Sequence, residues 1–220
     1  MRVLVTGATG FVGRAVVPAL LRAGHDPVAA VRRDKPGHTA DGVPAVRIAD
    51  IGPATEWRSA LAGVDAVVHL AAWAHRPGAD PREAERECAR INAAGTARLA
   101  SEAAAAGVRR LVYVSTVKVH GERSPASRPF TEADAPAPED AYGRSKLAGE
   151  RAGADIAAGG GLETVTLRPP LVYGPGVPAN FRALIRLCER RPPLPFASIR
   201  NRRSLVYVGN LADAVVRALE

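Results

Sequence analysis

Tyr142 and Lys146 are separated by three residues in the run YGRSK, inside a stretch, Ala141–Ala158, that reads as a helix. The i, i+4 spacing places both side chains on one helix face. Because a neighbouring ammonium favours the phenolate, we expect a lowered pKa for Tyr142 and proton exchange with a substrate hydroxyl near neutral pH. The pattern alone is common on helix surfaces, so its meaning depends on the elements around it.

A hydroxyl that can assist this tyrosine follows an upstream apolar strand. Thr116 comes after the predicted strand Arg110–Val114, in the run VST. Ligands of open α/β sheets bind beyond the carboxyl ends of the strands, so we expect Thr116 at the site. Its hydroxyl can then hydrogen-bond the oxygen that Tyr142 deprotonates.

A glycine-rich turn lies between the first predicted strand and the first predicted helix. Its G-x-x-G-x-x-G spacing allows a tight turn and lets the backbone approach a pyrophosphate at the helix N-terminus. In this strand–turn–helix context the run predicts dinucleotide binding, whereas elsewhere it would indicate only a turn. The cofactor-binding residues predicted from it are Gly7, Thr9, Gly10, Phe11, Val12 and Gly13.

The residues after the second predicted strand bear on the choice of dinucleotide. An acidic residue there accepts hydrogen bonds from the adenosine ribose 2′-OH, whereas arginine suits a 2′-phosphate. The chain has Arg32 and Arg33 at this place, with Asp34 following. The pattern favours NADP, and a solvated pair of charges at a strand end is the alternative interpretation.

Apolar runs alternate with helical stretches along most of the chain, which is typical of a parallel sheet with helices on both faces. The predicted strands are 2–6, 27–32, 45–48, 66–70, 110–114 and 163–168, and the predicted helices are 11–23, 55–61, 81–106, 141–158 and 179–189. The proline-rich stretch 122–140 is expected to be a long surface loop. The fold class is therefore α/β, a Rossmann-type doubly wound parallel sheet.

The alternation stops after the run RPP at 168–170. We expect a dinucleotide-binding domain over residues 1–172 and the beginning of a smaller C-terminal substrate-binding lobe over residues 173–220.

Composition excludes several classes of protein. The 220 residues carry a formal net charge of +8, which fits an anionic ligand or nucleic acid, but no nucleic-acid-binding module supports the latter. No apolar run is long enough to span a membrane, and two cysteines form no disulfide framework, so a cytoplasmic location is expected. The five histidines show no paired spacing, and no metal site is predicted.

Taken together, the motifs resemble the extended short-chain dehydrogenase/reductase family, in its NAD(P)-dependent nucleotide-sugar epimerase/dehydratase branch. The matching runs keep the family's order and cover essentially the whole chain. They are TGATGFVG at 6–13, HLAA at 69–72, INAAGT at 91–96, YVST at 113–116, YGRSK at 142–146, LRP at 167–169 and VYGPG at 172–176.

The resemblance implies a role for each matching position. Tyr142 is the expected acid/base, Lys146 the residue that holds the nicotinamide ribose, and Thr116 the hydroxyl that orients the sugar oxygen. Asn92 is expected to be structural or a proton relay. Further cofactor contacts are expected from Asp50, Ile51, Leu70, Ala71, Ala72, Ser115 and Pro169, and substrate contacts from Trp73, Lys118, Asn180 and Arg203. Alternatively, Trp73 is a packing residue and Arg203 is a surface charge.

At one place this sequence differs from the dehydratases of the family, and the difference bears on which reaction is expected. The dehydratases carry an Asp-Glu pair after the catalytic threonine, where this chain has Val117 and Lys118. The resemblance therefore implies a 4-epimerase or 4-ketoreductase that transfers hydride at C4 of a UDP-hexose or UDP-N-acetylhexosamine. A non-catalytic NADP(H)-sensing protein and a reductase of another carbonyl substrate are the alternatives.

The resemblance also bears on assembly and length. Relatives commonly form a homodimer through two long helices, which correspond to 81–106 and 141–158 here. They run to about 300–350 residues, a two-domain size. We therefore expect this chain to be truncated, with the catalytic set complete and much of the sugar-selecting surface missing.

Overall fold

The computed structural model describes residues 1–32, 42–74, 78, 80–125, 128–190 and 202–220, without the side chains of 179 and 180. A π-helical segment, Cys88–Ala94, and a 3-10 helix, Val117–His120, accompany the regular elements. The strands are β1 (Arg2–Thr6), β2 (Asp26–Val31), β3 (Ala45–Arg47), β4 (Ala66–His69), β5 (Arg110–Val114), β6 (Glu163–Leu167), β7 (Leu171–Tyr173) and β8 (Leu205–Tyr207). The helices are α1 (Gly13–Arg22), α2 (Pro81–Glu87), α3 (Gly95–Ala105), α4 (Ala141–Ala158), α5 (Ala179–Glu189) and α6 (Val208–Arg217).

Six parallel strands form the main sheet in the order β3-β2-β1-β4-β5-β6. The strand order reverses beside β1, which pairs with β2 on one side and with β4 on the other. Such a switch point opens a crevice at the carboxyl ends of the strands. The predicted doubly wound Rossmann-type sheet is confirmed.

The central strands β1, β2, β4 and β5 are largely apolar because both faces of the sheet are covered there, whereas the edge strands β3 and β6 are more exposed. Within β1, Leu4 belongs to a core that also contains Leu99 of α3, whereas Val3 and Val5 belong to a core on the opposite face. All three β1 side chains are fully buried. Near-continuous runs of Val and Leu are the expected pattern for strands buried on both sides.

The last helix contributes to the core of the main sheet. In α6, Val215 shares a core with Val17 of α1, and Leu219, just after α6, is fully buried in the same core. The segment before α6 includes a second sheet, in which β7 and β8 pair in parallel. The boundary at residue 172 stays a prediction, but the chain after it returns to pack on the main sheet.

The predicted helix over 55–61 is wrong, because residues 55–57 have no regular structure and residues 58–60 form a turn. The Thr55 hydroxyl accepts a hydrogen bond from the Gly52 N–H and donates one to the Asp50 carbonyl, both at 2.8 Å. The Trp57 N–H donates to the Glu102 carboxylate, also at 2.8 Å. Side chains that bond the backbone in this way compete with helix formation.

The predicted helix over 81–106 is interrupted by the π-helical segment between α2 and α3. This wider turn carries Asn92, which is fully buried. Single π-turns within helices are rare and occur frequently at functional sites. None of the helices in the described ranges is long and apolar enough to cross a membrane.

Packing of α6 on the sheet predicts how a mutation near the C-terminal end acts. Replacing the fully buried Leu219 by alanine leaves a cavity, and we expect the free energy of unfolding to fall by about 2–5 kcal/mol. Urea denaturation followed by far-UV circular dichroism measures this. Arg217→Ala, whose side chain is 79% exposed, is the control and should change stability by less than about 0.5 kcal/mol. An unaltered transition for Leu219→Ala would mean that the C-terminal residues do not support the sheet.

Candidate active site

The carboxyl ends of the parallel strands bring the predicted site residues to one edge of the sheet. Register pairs Thr6 with His69, and His69 with Tyr113, across β1, β4 and β5. The residues that follow these strands, Gly7, Leu70 and Ser115 among them, therefore leave the sheet at the same edge. This is the ligand-binding edge of open α/β sheets.

The glycine-rich turn packs so closely that side chains do not fit. Gly7 has a φ of 71°, and a Cβ on it would lie 2.8 Å from the Ala71 nitrogen. A Cβ on Gly13 would lie 2.3 Å from the Gly7 carbonyl oxygen. Val12 provides no side-chain cap for α1, and the Arg14 N–H donates to the Gly10 carbonyl of the turn at 3.0 Å. The positive end of the helix therefore faces the glycine turn without a side chain in between.

Ser115 provides an independent indication of a ligand. It is 4% exposed, and its hydroxyl is buried without a hydrogen-bond partner in the structure. Its own N–H donates to the Leu167 carbonyl at 2.7 Å, which fixes the backbone between β5 and β6. A buried hydroxyl without a partner is costly, and a ligand oxygen or nitrogen at this edge would satisfy it. The glycine turn and Ser115 together fit a dinucleotide.

At the expected adenine end of the site, Asp50 is held by two arginines. Arg32 approaches one carboxylate oxygen to 2.9 Å, and Arg90 approaches the other to 2.7 Å. Burial opposes ionisation of Asp50, but hydrogen bonds from Arg90 and Arg32 outweigh it and lower the pKa of this carboxyl. Arg90 also donates to the Ile51 carbonyl at 3.0 Å. The Arg32 charge is thus shared with a carboxylate, and Arg33 lies outside the described residues.

A chain of buried polar side chains connects the end of β1, next to the glycine-rich turn, to α3. The Thr6 hydroxyl lies 2.6 Å from Nδ1 of His69, whose Nε2 lies 3.0 Å from the Thr96 hydroxyl. Thr6 also accepts a hydrogen bond from the Ala71 N–H at 3.2 Å. Burial, with Lys146 adding to it, lowers the pKa of His69 to about 3. His69 is therefore a neutral linker between the glycine turn and α3.

Lys146 is buried at the centre of this edge. It is 1% exposed, and its ammonium lies 4.0 Å from the centre of the Tyr113 ring, as in a cation–π contact. The ring of His69 also stacks on the Tyr113 ring, with a centroid distance of 5.5 Å. Burial lowers the pKa of Lys146 to about 7.

The expected lowering of the Tyr142 pKa is not what the structure shows. Burial raises the pKa of Tyr142 to about 12, with Cys88 and Asp140 adding to it and Lys118 opposing it. The i, i+4 spacing on α4 is as predicted, but the Lys146 ammonium lies against the ring of Tyr113. Proton release from Tyr142 near neutral pH therefore requires a further positive charge or a movement of Lys146.

Asn92 joins the loop after β4 to the helix that carries Tyr142 and Lys146. Its side-chain amide donates to the Trp73 carbonyl at 2.9 Å and to the Ser145 hydroxyl at 3.0 Å, and its oxygen accepts from the Trp73 N–H at 2.7 Å. Ser145 in turn donates to the Tyr142 carbonyl at 2.8 Å. Of the two roles expected for Asn92, structural residue and proton relay, these contacts support the structural one.

Lys118 is bound by carboxylates on both sides. Its ammonium lies 2.7 Å from Glu122 and 2.7 Å from Asp140. Asp140 is the N-cap of α4 and accepts a hydrogen bond from the Gly143 N–H at 2.6 Å. Lys118 therefore helps to position the helix that carries Tyr142. Sequence reasoning missed Asp140 as a site residue, although its place just before a helix is a capping signal.

The remaining predicted residues differ in how far the structure describes them. Thr116 is nearly buried and caps the 3-10 helix by accepting a hydrogen bond from the Lys118 N–H. The Pro169 carbonyl accepts from the Val117 N–H at 3.0 Å. Arg203 is exposed, and the side chain of Asn180 lies outside the described residues. Within the described ranges no group of three or more potential ligands could hold a metal ion.

Comparison with known proteins identifies the family to which this chain is similar. The model of the NAD dependent epimerase/dehydratase family matches residues 3–220. A UDP-glucose 4-epimerase of Vibrio cholerae is 41% identical over 99% of this chain and 66% of its own length. A 3-diazoavenalumate denitrifying reductase of a Streptomyces species is 34% identical over 100% of this chain and 72% of its own length.

A solved structure agrees with the sequence comparison. The structure of MoeE5 in complex with UDP-glucuronic acid and NAD superposes with a TM-score of 0.82 at 31% identity, over 100% of this chain and 72% of that one. The chain spans between 44% and 66% of the length of the first curated relatives that it matches.

Burial of Lys146 predicts an unusual dependence of stability on pH. The unfolded chain holds its proton up to about pH 10.5, whereas the folded protein releases it at about pH 7. The unfolded state therefore binds more protons between these values, and the free energy of unfolding rises with pH, by at most about 1.4 kcal/mol per pH unit. Lys146→Met should lack this rise, and Lys118→Met should keep it. Identical pH dependence in the wild type and Lys146→Met, measured by urea denaturation, would contradict the assignment.

Proposed function

The chain belongs to the NAD dependent epimerase/dehydratase family, and we propose on this premise that it transfers hydride at C4 of a UDP-hexose or UDP-N-acetylhexosamine. The reaction is a 4-epimerisation or a 4-keto reduction. The similarity to a UDP-glucose 4-epimerase and to a structure that holds a UDP-sugar supports this substrate class.

The observation that carries the proposal is the environment of Lys146. Its ammonium is buried at the ligand-binding edge of the sheet, and none of the carboxylates in the described ranges forms an ion pair with it. A buried cation needs oxygen partners, and sugar hydroxyls are such partners. The unpartnered hydroxyl of Ser115 and the tight glycine turn at Gly7 lie at the same edge.

In the proposed mechanism each residue has one task. A bound dinucleotide supplies hydride transfer. Tyr142 takes the proton of the C4 hydroxyl and returns it, and Thr116 holds the same oxygen. Lys146 binds hydroxyls of the dinucleotide and, by approaching Tyr142, stabilises its phenolate against the burial that raises the pKa of Tyr142 to about 12.

Dehydration is disfavoured by what surrounds Lys118. Loss of water from a sugar requires a carboxylate free to remove a proton at C5. Val117 and Lys118 occupy the places of the dehydratases' acidic pair, and the nearby carboxylates of Glu122 and Asp140 are both bound to the Lys118 ammonium.

A reductase of another carbonyl substrate is the second candidate. The similarity to a 2-alkyl-3-oxoalkanoate reductase, 34% identical over 100% of this chain, favours it, because that name denotes a keto substrate and the same scaffold is reused for different substrates. A non-catalytic NADP(H) sensor is a weaker alternative, since a sensor has no need for Thr116, Tyr142 and Lys146 together.

Replacing Tyr142 by phenylalanine tests the mechanism. The variant keeps the ring but has no proton to exchange, so we expect the turnover of UDP-glucose to UDP-galactose to fall by at least about 100-fold. The exposed Tyr207, replaced by phenylalanine, serves as the control. Dinucleotide affinity should be retained in both variants. Unchanged turnover in Tyr142→Phe would refute the assigned role. A wild type that turns over no UDP-sugar but reduces other carbonyl compounds would support the second candidate.

For the cofactor we propose that NADP(H) binds at least as well as NAD(H), through Arg32. Because Asp50 shares the Arg32 charge, Asp50→Asn should raise affinity for NADP relative to NAD by about tenfold, the worth of one charge-assisted contact. Arg32→Ser should lower that ratio. Fluorescence titration with both dinucleotides measures it. An affinity of the wild type for NAD tenfold above that for NADP would refute the preference.

Three further expectations stay predictions. The homodimer rests on the resemblance to the family, with α2, α3 and α4 as the expected interface helices. The cytoplasmic location rests on cysteine usage. The absence of nucleic-acid binding rests on the lack of a recognised module in a chain with a net charge of +8.

A further inference from the structure

A buried ion pair lies one helical turn beyond Lys146. Glu150 follows Lys146 by four residues on α4, and its side chain is 7% exposed. Arg168, the residue after β6, reaches it with two nitrogens. Nη2 lies 2.6 Å from Oε2, and Nε lies 3.1 Å from each carboxylate oxygen. The pair is therefore a fixed, fork-like contact rather than a mobile surface salt bridge.

Arg168 is also held from its other side. Its Nη1 lies 3.0 Å from Nε2 of His120, and because an arginine can only donate, Nε2 is the acceptor. His120 is 6% exposed, and its ring stacks on Phe130 with a centroid distance of 5.3 Å. The guanidinium thus has its position set by two partners, and it in turn sets the position of the Glu150 carboxylate.

Lys146 and Glu150 are i, i+4 neighbours on α4, where the Cβ atoms of such a pair lie about 5–6 Å apart on one helix face. The Glu150 charge therefore acts on Lys146. Burial lowers the pKa of the Lys146 ammonium, and the negative charge of Glu150 raises it. His69 is neutral because its pKa is lowered to about 3. The titratable groups around Lys146 are His69 on β4, Tyr113 on β5, and Tyr142 and Glu150 on α4, with Arg168 at the end of β6 behind Glu150.

We propose that Glu150 and Arg168 are positioning residues that set the charge of Lys146. The Glu150 carboxylate keeps the ammonium protonated inside the protein, and Arg168 limits that effect by neutralising part of the carboxylate charge. The catalytic consequence rests on the proposed function, because a protonated Lys146 is what stabilises the Tyr142 phenolate. The effect on Lys146 itself requires neither substrate nor dinucleotide.

The two residues of the pair therefore act in opposite directions. Glu150→Gln removes the attraction and should lower the pKa of Lys146 by about 1. Arg168→Met leaves Glu150 without its partner and should raise the pKa of Lys146. A purely structural pair would give no such opposition, because both variants would then only loosen the packing between α4 and β6.

The sequence makes a direct measurement practical, because it contains three lysines, Lys35, Lys118 and Lys146. Protein labelled with ¹³C-lysine should give three Cε signals, and the signal that is lost in Lys146→Arg identifies the buried one. Its chemical shift is followed against pH in the wild type, Glu150→Gln and Arg168→Met, with the protein alone in solution. Glu163→Gln is the matched control, since it breaks an ion pair with Arg110 at the opposite end of β5 and β6.

The expected result is a lower pKa of Lys146 in Glu150→Gln, a higher one in Arg168→Met and an unchanged one in Glu163→Gln. An unchanged Lys146 pKa in both variants, or shifts in the same direction, would overturn the proposal. Removing one partner of a buried pair is destabilising, whereas removing both is tolerated better. If either variant does not fold, the double variant Glu150→Gln/Arg168→Met decides: the pKa of Lys146 should lie below that of the wild type, and an unchanged value would overturn the proposal.

Activity provides a separate readout. The alkaline limb of the pH–rate profile should move to lower pH in Glu150→Gln and to higher pH in Arg168→Met, because Lys146 must be protonated. Shifted Lys146 titrations in a protein that turns over no UDP-sugar would refute the proposed function and leave this inference standing. An active enzyme in which the pKa of Lys146 is the same in all variants would support the proposed function and refute this inference.

Discussion

The ammonium of Lys146 is the constraint on which the site depends. An unpaired charge in a protein interior costs several kcal/mol, and Lys146 is 1% exposed. The surrounding elements reduce this cost in different ways. β5 contributes the face of the Tyr113 ring, α4 contributes the Glu150 charge, and the neutral His69 on β4 adds no second cation. The remaining need of the ammonium for oxygen partners is the reason why we propose a binding site at this edge of the sheet.

The same elements hold the parts of the site in register. The Thr6–His69–Thr96 chain connects the end of β1 through β4 to α3, and Asn92 connects the loop after β4 to α4. Near the middle of α4, the ion pair of Glu150 with Arg168 connects the helix to the end of β6. The glycine turn, the hydroxyls after β5 and the helix with Tyr142 are therefore positioned by buried hydrogen bonds, and the proposed reaction depends on such fixed positions.

The sequence predicted the sheet, and with it the edge at which the candidate site residues lie, because those signals are local. Alternating apolar runs, the glycine spacing before α1 and the i, i+4 pattern at Tyr142 each lie within a few residues. The failures involve partners far apart in the chain. The stretch 55–61 is not a helix because the Trp57 N–H bonds the Glu102 carboxylate. Arg90 joins the site through the Asp50 carboxylate, 40 residues away, and through the Ile51 carbonyl. The raised pKa of Tyr142 depends on burial and on where the Lys146 ammonium lies, neither of which a spacing reveals.

A crystal structure with NAD or NADP and a UDP-hexose tests the central claim most directly. The account predicts that the Lys146 ammonium and the Ser115 hydroxyl each lie within hydrogen-bond distance, about 2.7–3.2 Å, of the dinucleotide. It also predicts that the Tyr142 hydroxyl faces the C4 oxygen of the sugar. A bound dinucleotide that leaves Lys146 on the Tyr113 ring and Ser115 without a partner, or a sugar placed away from Tyr142, would contradict it.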